Sequence, residues 1–236
     1  MTLLTICQDA ASQVGLRQPS YIVGSTDLVA QQLLRFANQT GKELAKDHDW
    51  QTLIVERTLT TVATVTQSGS LPSASYGRML YNPEIWNRSI NQRYAGPTPQ
   101  RSWQQLKCGL SGGVAGWWRI LGGELCIYPA PTAGQTVAFE YMDKRWVVSA
   151  AGAFQEAFLA DTDSPRIADD ELFTLALVWR WRHSKGFSQY AEDMASFERE
   201  KERAMSSDRA QGRLRADAGD VDDYPHAPGW NGTITP

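Results

Sequence analysis

The stretch ADDELFTLALVWRWRHSKGFSQYAEDMASFEREKERAM, residues 168–205, decides the fold. Leu172, Leu175, Ala176 and Trp179 recur at helical spacing, and Phe173 and Leu177 widen the apolar stripe. Asp169, Asp170 and Glu171 precede that stripe, where carboxylates cap free N–H groups and suit the helix dipole. Arg180, Arg182, His183 and Lys185 crowd its end, and Gly186 supplies the left-handed residue that stops many helices. A second helix follows, with Tyr190, Met194, Phe197, Lys201 and Met205 on one side. The spacing therefore predicts a helical hairpin that must bury one face against another part of the chain.

Downstream of this hairpin the apolar content collapses. The sequence SSDRAQGRLRADAGDVDDYPHAPGWNGTITP cannot bury enough apolar surface to offset the entropy of ordering it alone. It predicts an extended tail, with Val221, Tyr224 and Trp230 as the side chains able to anchor on a partner. A free end without function is the other reading of the same composition.

Upstream, Leu3, Ile6, Cys7, Ala10 and Val14 share one face of a first helix that Gly15 ends. Ser25, Thr26 and Asp27 offer N-cap oxygens to a second helix running to about Asp47, with Val29, Leu33, Phe36, Ala37 and Leu44 along its stripe. Two helices at each end predict a small bundle. Between them the text turns to β-branched residues and Gly/Pro turns.

Residues 51–65 read as one or two strands, Met79–Tyr81 as a short one, residues 86–94 as a polar segment, and Gln100–Leu106 as a short helix. Trp117–Leu121 and Glu124–Tyr128 flank Gly122-Gly123, a two-residue hairpin signature. Gln135–Tyr141 alternates, and Trp146–Val148 pairs with Phe154–Ala160. The fold class is α+β: terminal helices forming a bundle, with an inserted antiparallel β-sandwich or barrel and an extended C-terminal tail.

Composition narrows the function. A net charge of −3 opposes general nucleic-acid affinity, which needs surplus Lys and Arg. No apolar run approaches the roughly 18 residues that span a bilayer, and the N-terminal residues carry no Lys or Arg before their short apolar segment, so no signal peptide is expected. Cys7, Cys108 and Cys126 form no CxxC, and Cys7 and Cys126 are expected as buried thiols, which suits synthesis in a reducing cytosol. Nine tryptophans suggest that some serve contacts.

Catalytic and ligand motifs are sparse. The glycines of residues 109–116 lack a GK[ST] ending, and His48, His183 and His226 have no ligand at metal spacing. No cofactor is implied. Asp161 and Asp163 are expected at a strand end and Asp170 at a helix start; such carboxylates could serve glycan hydrolysis or hold Ca²⁺, against the plainer readings of a turn and a cap. Trp86, Trp103, Trp117 and Trp118 could be stacking platforms for a glycan. Without a catalytic constellation, the chain reads as a binding or assembly module.

Four blocks carry a resemblance: LLTICQDAASQVGL with PSYIVGSTDLVAQQLLRFANQTGKELAKDHDWQ; AGPTPQRSWQQL; WRILGGELCIYPAPTAGQTVAFEYMDKRWV; and FLADTDSPRIADDELFTLALVWRWRHSKGFSQYAEDMASFERE. In this order they resemble the head-to-tail adaptor (connector) proteins of tailed bacteriophages, the group of the tail tubular protein A type and the podophage tail accessory factors. The resemblance implies a structural virion protein made in the host cytoplasm. It would form a ring, usually dodecameric, between the portal protein and the tail nozzle or tail tube protein. Viral DNA would pass through the ring without sequence-specific binding, along a lumen expected to be acidic or mixed in charge, and no membrane would be involved. Carried onto this chain, residues 1–50 and 164–209 would form the ring body, with Leu33, Phe36, Leu172, Trp179, Trp181 and Phe197 on its helices. Residues 51–163 would face the tail, and residues 210–236, with Arg213, Val221, Tyr224 and Trp230, would dock on the portal. Some adaptors of this kind have been suggested to attack peptidoglycan, which keeps Asp161, Asp163 and Asp170 as alternative candidates.

Overall fold

The computed structural model describes residues 1–109, 116–167 and 170–208. In chain order these hold α1 (Leu3–Gln13), α2 (Leu28–Asp47), a 3₁₀ turn (Gln51–Leu53), β1 (Ile54–Thr60), β2 (Thr66–Gln67) and β3 (Tyr76–Met79). There follow β4 (Ile85–Asn87), β5 (Gln92–Tyr94), α3 (Gln100–Lys107), β6 (Trp117–Leu121), β7 (Glu124–Tyr128) and β8 (Thr136–Asp143). The chain closes with β9 (Val147–Val148), β10 (Phe154–Gln155), β11 (Ser164–Pro165), α4 (Asp170–Ser184) and α5 (Tyr190–Asp208).

The helices start and stop where local chemistry directs. Thr2 and Thr5 exchange side-chain-to-backbone bonds in a capping box on α1, and Gly15 follows its end at φ 71°. Asp27 accepts from Val29 N at 3.2 Å to cap α2. α4 buries Leu172, Phe173, Ala176, Leu177, Val178 and Trp181, which are spread too widely around the helix for a single stripe. Its position explains this: α4 packs against α1, α2 and α5 together. Guanidinium groups tie these contacts. Arg180 pairs with Glu43 and donates to Thr40 Oγ1 at 3.1 Å, and Arg182 binds Asp193 on α5 at 2.7 Å.

The middle of the chain forms three antiparallel sheets, which do not close into a barrel. β8 is the spine of the first. Thr136–Met142 pair with β1, while β4 takes Val137–Phe139 and β3 takes Tyr141–Asp143 on the other edge. The second sheet is β2-β7-β6, and the third links β10, β9 and β11. Leu125 and Ile127 face the first sheet, meeting Ile85, Val137, Phe139 and Tyr141. Cys126, on the opposite face of β7, meets Trp103 and Leu106 of α3.

Several expectations need correction. Residues 86–94 form nearly all of the β4–β5 hairpin rather than a polar segment, because the polar Asn87, Gln92 and Arg93 mask the strand period. The strand expected at Met79–Tyr81 is centred earlier, and the one expected at Phe154–Ala160 stops after Gln155. Met194, expected on the apolar side of α5, is 40% exposed.

The helical core also draws in Trp50, Leu53, Met142, Trp146, Phe158 and Ile167 from outside the four long helices. Trp146 is buried edge-on to Phe158 at 5.0 Å and stacked on Phe173 at 6.1 Å. The deep burial of Cys7, and secondarily the nearby charge of Asp161, push its thiol up to about 12, so it stays protonated at neutral pH. Cys126 is buried as well, and Cys108 is exposed.

Candidate assembly surfaces

The carboxylates that suggested acid–base chemistry close turns instead. They lie in the loop between β10 and β11, with Asp163 immediately before the first residue of β11. Asp161 accepts from Ile22 N at 3.1 Å and Val23 N at 2.8 Å, pinning the α1–α2 linker to this loop. Asp163 accepts from Leu159 N and Ala160 N, both at 2.8 Å, and is buried. The carbonyls of both residues receive the first N–H groups of α1, from Leu4 and Leu3. Asp170 is the first residue of α4, and Asp169 lies outside the described residues.

Two carboxylates occupied by backbone N–H groups are poorly placed to move protons. Replacing Asp161 and Asp163 together by Asn is expected to cost about 1–3 kcal/mol per weakened anchor. A peptidoglycan-digestion assay should read the same for the parent and this variant, and a drop confined to the folded variant would restore the hydrolase reading. Among the described residues no group of three or more His, Cys, Asp or Glu is arranged to hold a metal. His48 is buried, with Nε2 3.2 Å from Asp208 Oδ2 at an angle unsuited to a hydrogen bond. His226 and residues 110–115 of the glycine-rich loop lie outside the described residues.

The four tryptophans proposed as glycan platforms separate. Trp103 and Trp118 are core residues, each 1% exposed, because strand alternation and the α3 stripe turn them inward. Trp117 is half-buried against the α3 cluster. Trp86 alone lines an open cavity, donating from Nε1 to Glu84 at 2.9 Å. That hydrogen bond also holds the Glu84 carboxyl below its ordinary value, with help from Arg93.

The residues expected on the ring-body helices sit as follows. Leu33, Leu172, Trp181 and Phe197 are buried in the protomer's own core, while Phe36 and Trp179 are half-buried against it. Arg213, Val221, Tyr224 and Trp230 lie outside the described residues. The exposed large apolar side chains of the helical part include Leu28 (73%) and Phe187 (54%), with Tyr21 beside the Asp161 anchor.

A joint that sequence reasoning missed connects helices to sheet. Arg78 on β3 donates to the carbonyls of His48 (3.0 Å) and Lys46 (3.5 Å) at the C-terminus of α2, and pairs with Asp49 at 2.5 Å. A guanidinium there satisfies free carbonyls and opposes the negative end of the dipole. Its ring partner Tyr81 lies 4.4 Å below and donates to Lys46 O. Beside this joint, α2 and the β3–β8 edge enclose a cavity of about 600 Å³ floored by Met142 and Trp146 and rimmed by Lys42, Lys46 and Lys144. Near it the sequence shows only the change from a helical to a β-branched pattern at Trp50.

A family model described as SU10 adaptor protein matches residues 1–224. No curated protein matches the chain. Among the described residues no helix is long and apolar enough to cross a membrane.

Proposed function

The chain belongs to the SU10 adaptor protein family, which makes it a bacteriophage adaptor, and from that premise we propose that it forms the ring between portal and tail nozzle at the head-to-tail junction. In this reading the ring is dodecameric, lines the channel through which viral DNA leaves, and presents an acidic or mixed lumen that does not grip the phosphates. Residues 1–50 and 164–209 form the ring body, residues 51–163 face the tail, and residues 210–236 dock on the portal.

The observation that carries the reading is the extent of the family match, which runs from the first helix through the β insert and into residue 224. Support comes from the helical part, where Leu28 and Phe187 expose apolar surface that contact with neighbouring copies would cover. The central helix α4 is consumed by α1, α2 and α5 within one protomer, so ring contacts fall to the outer helices and loops.

Native mass measurement and negative-stain imaging of the full chain test this, alone and mixed with its portal. A chain truncated after Met205 is the comparison. Portal-capped rings from the full chain, absent with the truncated one, are expected. A full chain that stays monomeric in every mixture would overturn the ring assignment.

A further inference from the structure

The cavity between α2 and the β3–β8 edge combines an apolar floor with a positive rim. Met142 and Trp146 are buried at its base, and Ala45 and Tyr76 are half-buried in its walls. The indole N–H of Trp146 is buried without an acceptor among the described residues. Of the charged side chains around it, Lys144 is paired with Glu156 at 2.8 Å, Arg78 with Asp49, and Asp143 with Arg145 and Arg166. Lys42 and Lys46 have no ion-pair partner among the described residues, and both are exposed. The site therefore fits a short segment bearing apolar side chains among carboxylates.

The same chain contains one. Residues 217–224 read DAGDVDDY, with Asp217, Asp220, Asp222 and Asp223 around Val221 and Tyr224. Its tether begins near the cavity. Asp208 ends α5 with its Oδ2 accepting from Gln51 N at 3.0 Å and close to His48, whose carbonyl is held by the cavity residue Arg78. The dozen residues from Arg209 to Asp220 reach up to about 40 Å, so the span is easily made. A short tether also presents the segment at an effective concentration of roughly millimolar, so a weak site suffices.

We infer that this cavity holds residues 217–224 of the same chain in the unassembled protein. Lys42 and Lys46 meet the aspartates, and Val221 and Tyr224 cover the Met142–Trp146 floor. A partner that captures the tail must then compete with this seat, which delays capture until the partner is present. The inference stands on the cavity and the charge pattern, whether or not the portal is the tail's eventual partner.

Disulfide trapping in the full chain tests it. In a Cys108→Ser background, whose remaining Cys7 and Cys126 are buried, Ala45→Cys is paired with Ala218→Cys, leaving every charge of the proposed contact in place. The control pairs Ala218→Cys with Asp47→Cys, at an exposed side chain turned toward Lys201 (3.5 Å) rather than the cavity. With diamide at low protein concentration, the cavity pair should close within one chain at least about tenfold faster than the control, because the segment is localised rather than merely tethered. Adding Asp220→Asn, Asp222→Asn and Asp223→Asn should return it to the control rate. Equal rates for the two pairs, insensitivity to the Asn changes, or disulfide-linked dimers as the main product would each overturn the inference.

Discussion

Asp143→Ala is expected to lower the free energy of unfolding by about 3–5 kcal/mol, the range found when one member of a buried ion pair is removed. Asp143 is buried at the end of β8, yet it is served from several directions. Arg145 donates to it from the backbone N (2.9 Å), Nε (2.9 Å) and Nη2 (2.8 Å), and Arg166 from Nη1 (3.2 Å). Arg166 also donates to the carbonyls of Arg145 and Thr52, tying the helical core's entry strand to the 3₁₀ turn. The Phe154 ring, 3.9 Å from the Arg166 guanidinium, covers the outer side. Without the carboxylate, two guanidinium groups remain side by side, with only the less direct charge of Glu156 acting on Arg145.

The hydrogen bonds that Arg145 donates to Asp143 hold its guanidinium above the ordinary value, outweighing the opposing effect of burial. A raised folded-state value gives stability that is complete below the unfolded value and is lost only as pH rises through the folded one. For an arginine that window lies far into alkali, so the Asp143→Ala deficit should be the same at pH 6 and pH 9. Urea denaturation at the two pH values measures it. A loss below about 1 kcal/mol would mean that solvent screens the pair as it screens surface pairs.

Gly41→Ala is the second large effect, and its sign should reverse with one further substitution. Gly41 lies inside α2, where Gly ordinarily costs about 1 kcal/mol relative to Ala. A methyl group there would stand 2.1 Å from Trp146 Cζ3 and 2.3 Å from Cη2. The indole packs edge-on to Phe158 and stacks on Phe173, so making room for the methyl group disrupts both ring contacts. Overpacking of this kind costs about 1–3 kcal/mol, so Gly41→Ala should destabilise despite its better helix propensity.

Trp146→Ala alone should cost about 3–5 kcal/mol through the cavity it leaves. In that background the clash is gone, and Gly41→Ala should stabilise by up to about 1 kcal/mol. Thermal and urea unfolding of the four proteins complete the cycle. Additive effects would show that the indole does not rest on Gly41.

Much of the frame was legible in the residues. Local signals mark the long helices: Asp27 at the start of α2, and Gly15 and Gly186 after the ends of α1 and α4. Gly122 and Gly123, at φ 63° and 79°, turn the β6–β7 hairpin as their pairing implied. These signals are local, so a short window contains both the residue and its reason. The β4–β5 hairpin escaped because its inward face includes the polar Asn87, buried and bonded to Tyr94, and its two strands have only three residues each.

The candidate sites fared differently. Asp161 and Asp163 were visible as carboxylates, but only the fold places Ile22, Val23, Leu159 and Ala160 against them and turns them into anchors. Trp103 and Trp118 looked like platforms until α3 and the second sheet were seen to bury them. Sequence determined the four long helices and the β6–β7 hairpin and supplied the ordered blocks behind the adaptor resemblance. Tertiary structure alone decided that Arg78 caps α2 beside a lysine-rimmed cavity, that Trp146 rests on Gly41, and that Asp143 joins two arginines. The physical reason is range: a cap or a turn is settled by neighbours a few residues away, whereas burial and charge pairing depend on groups that meet only once the helices and sheets have packed.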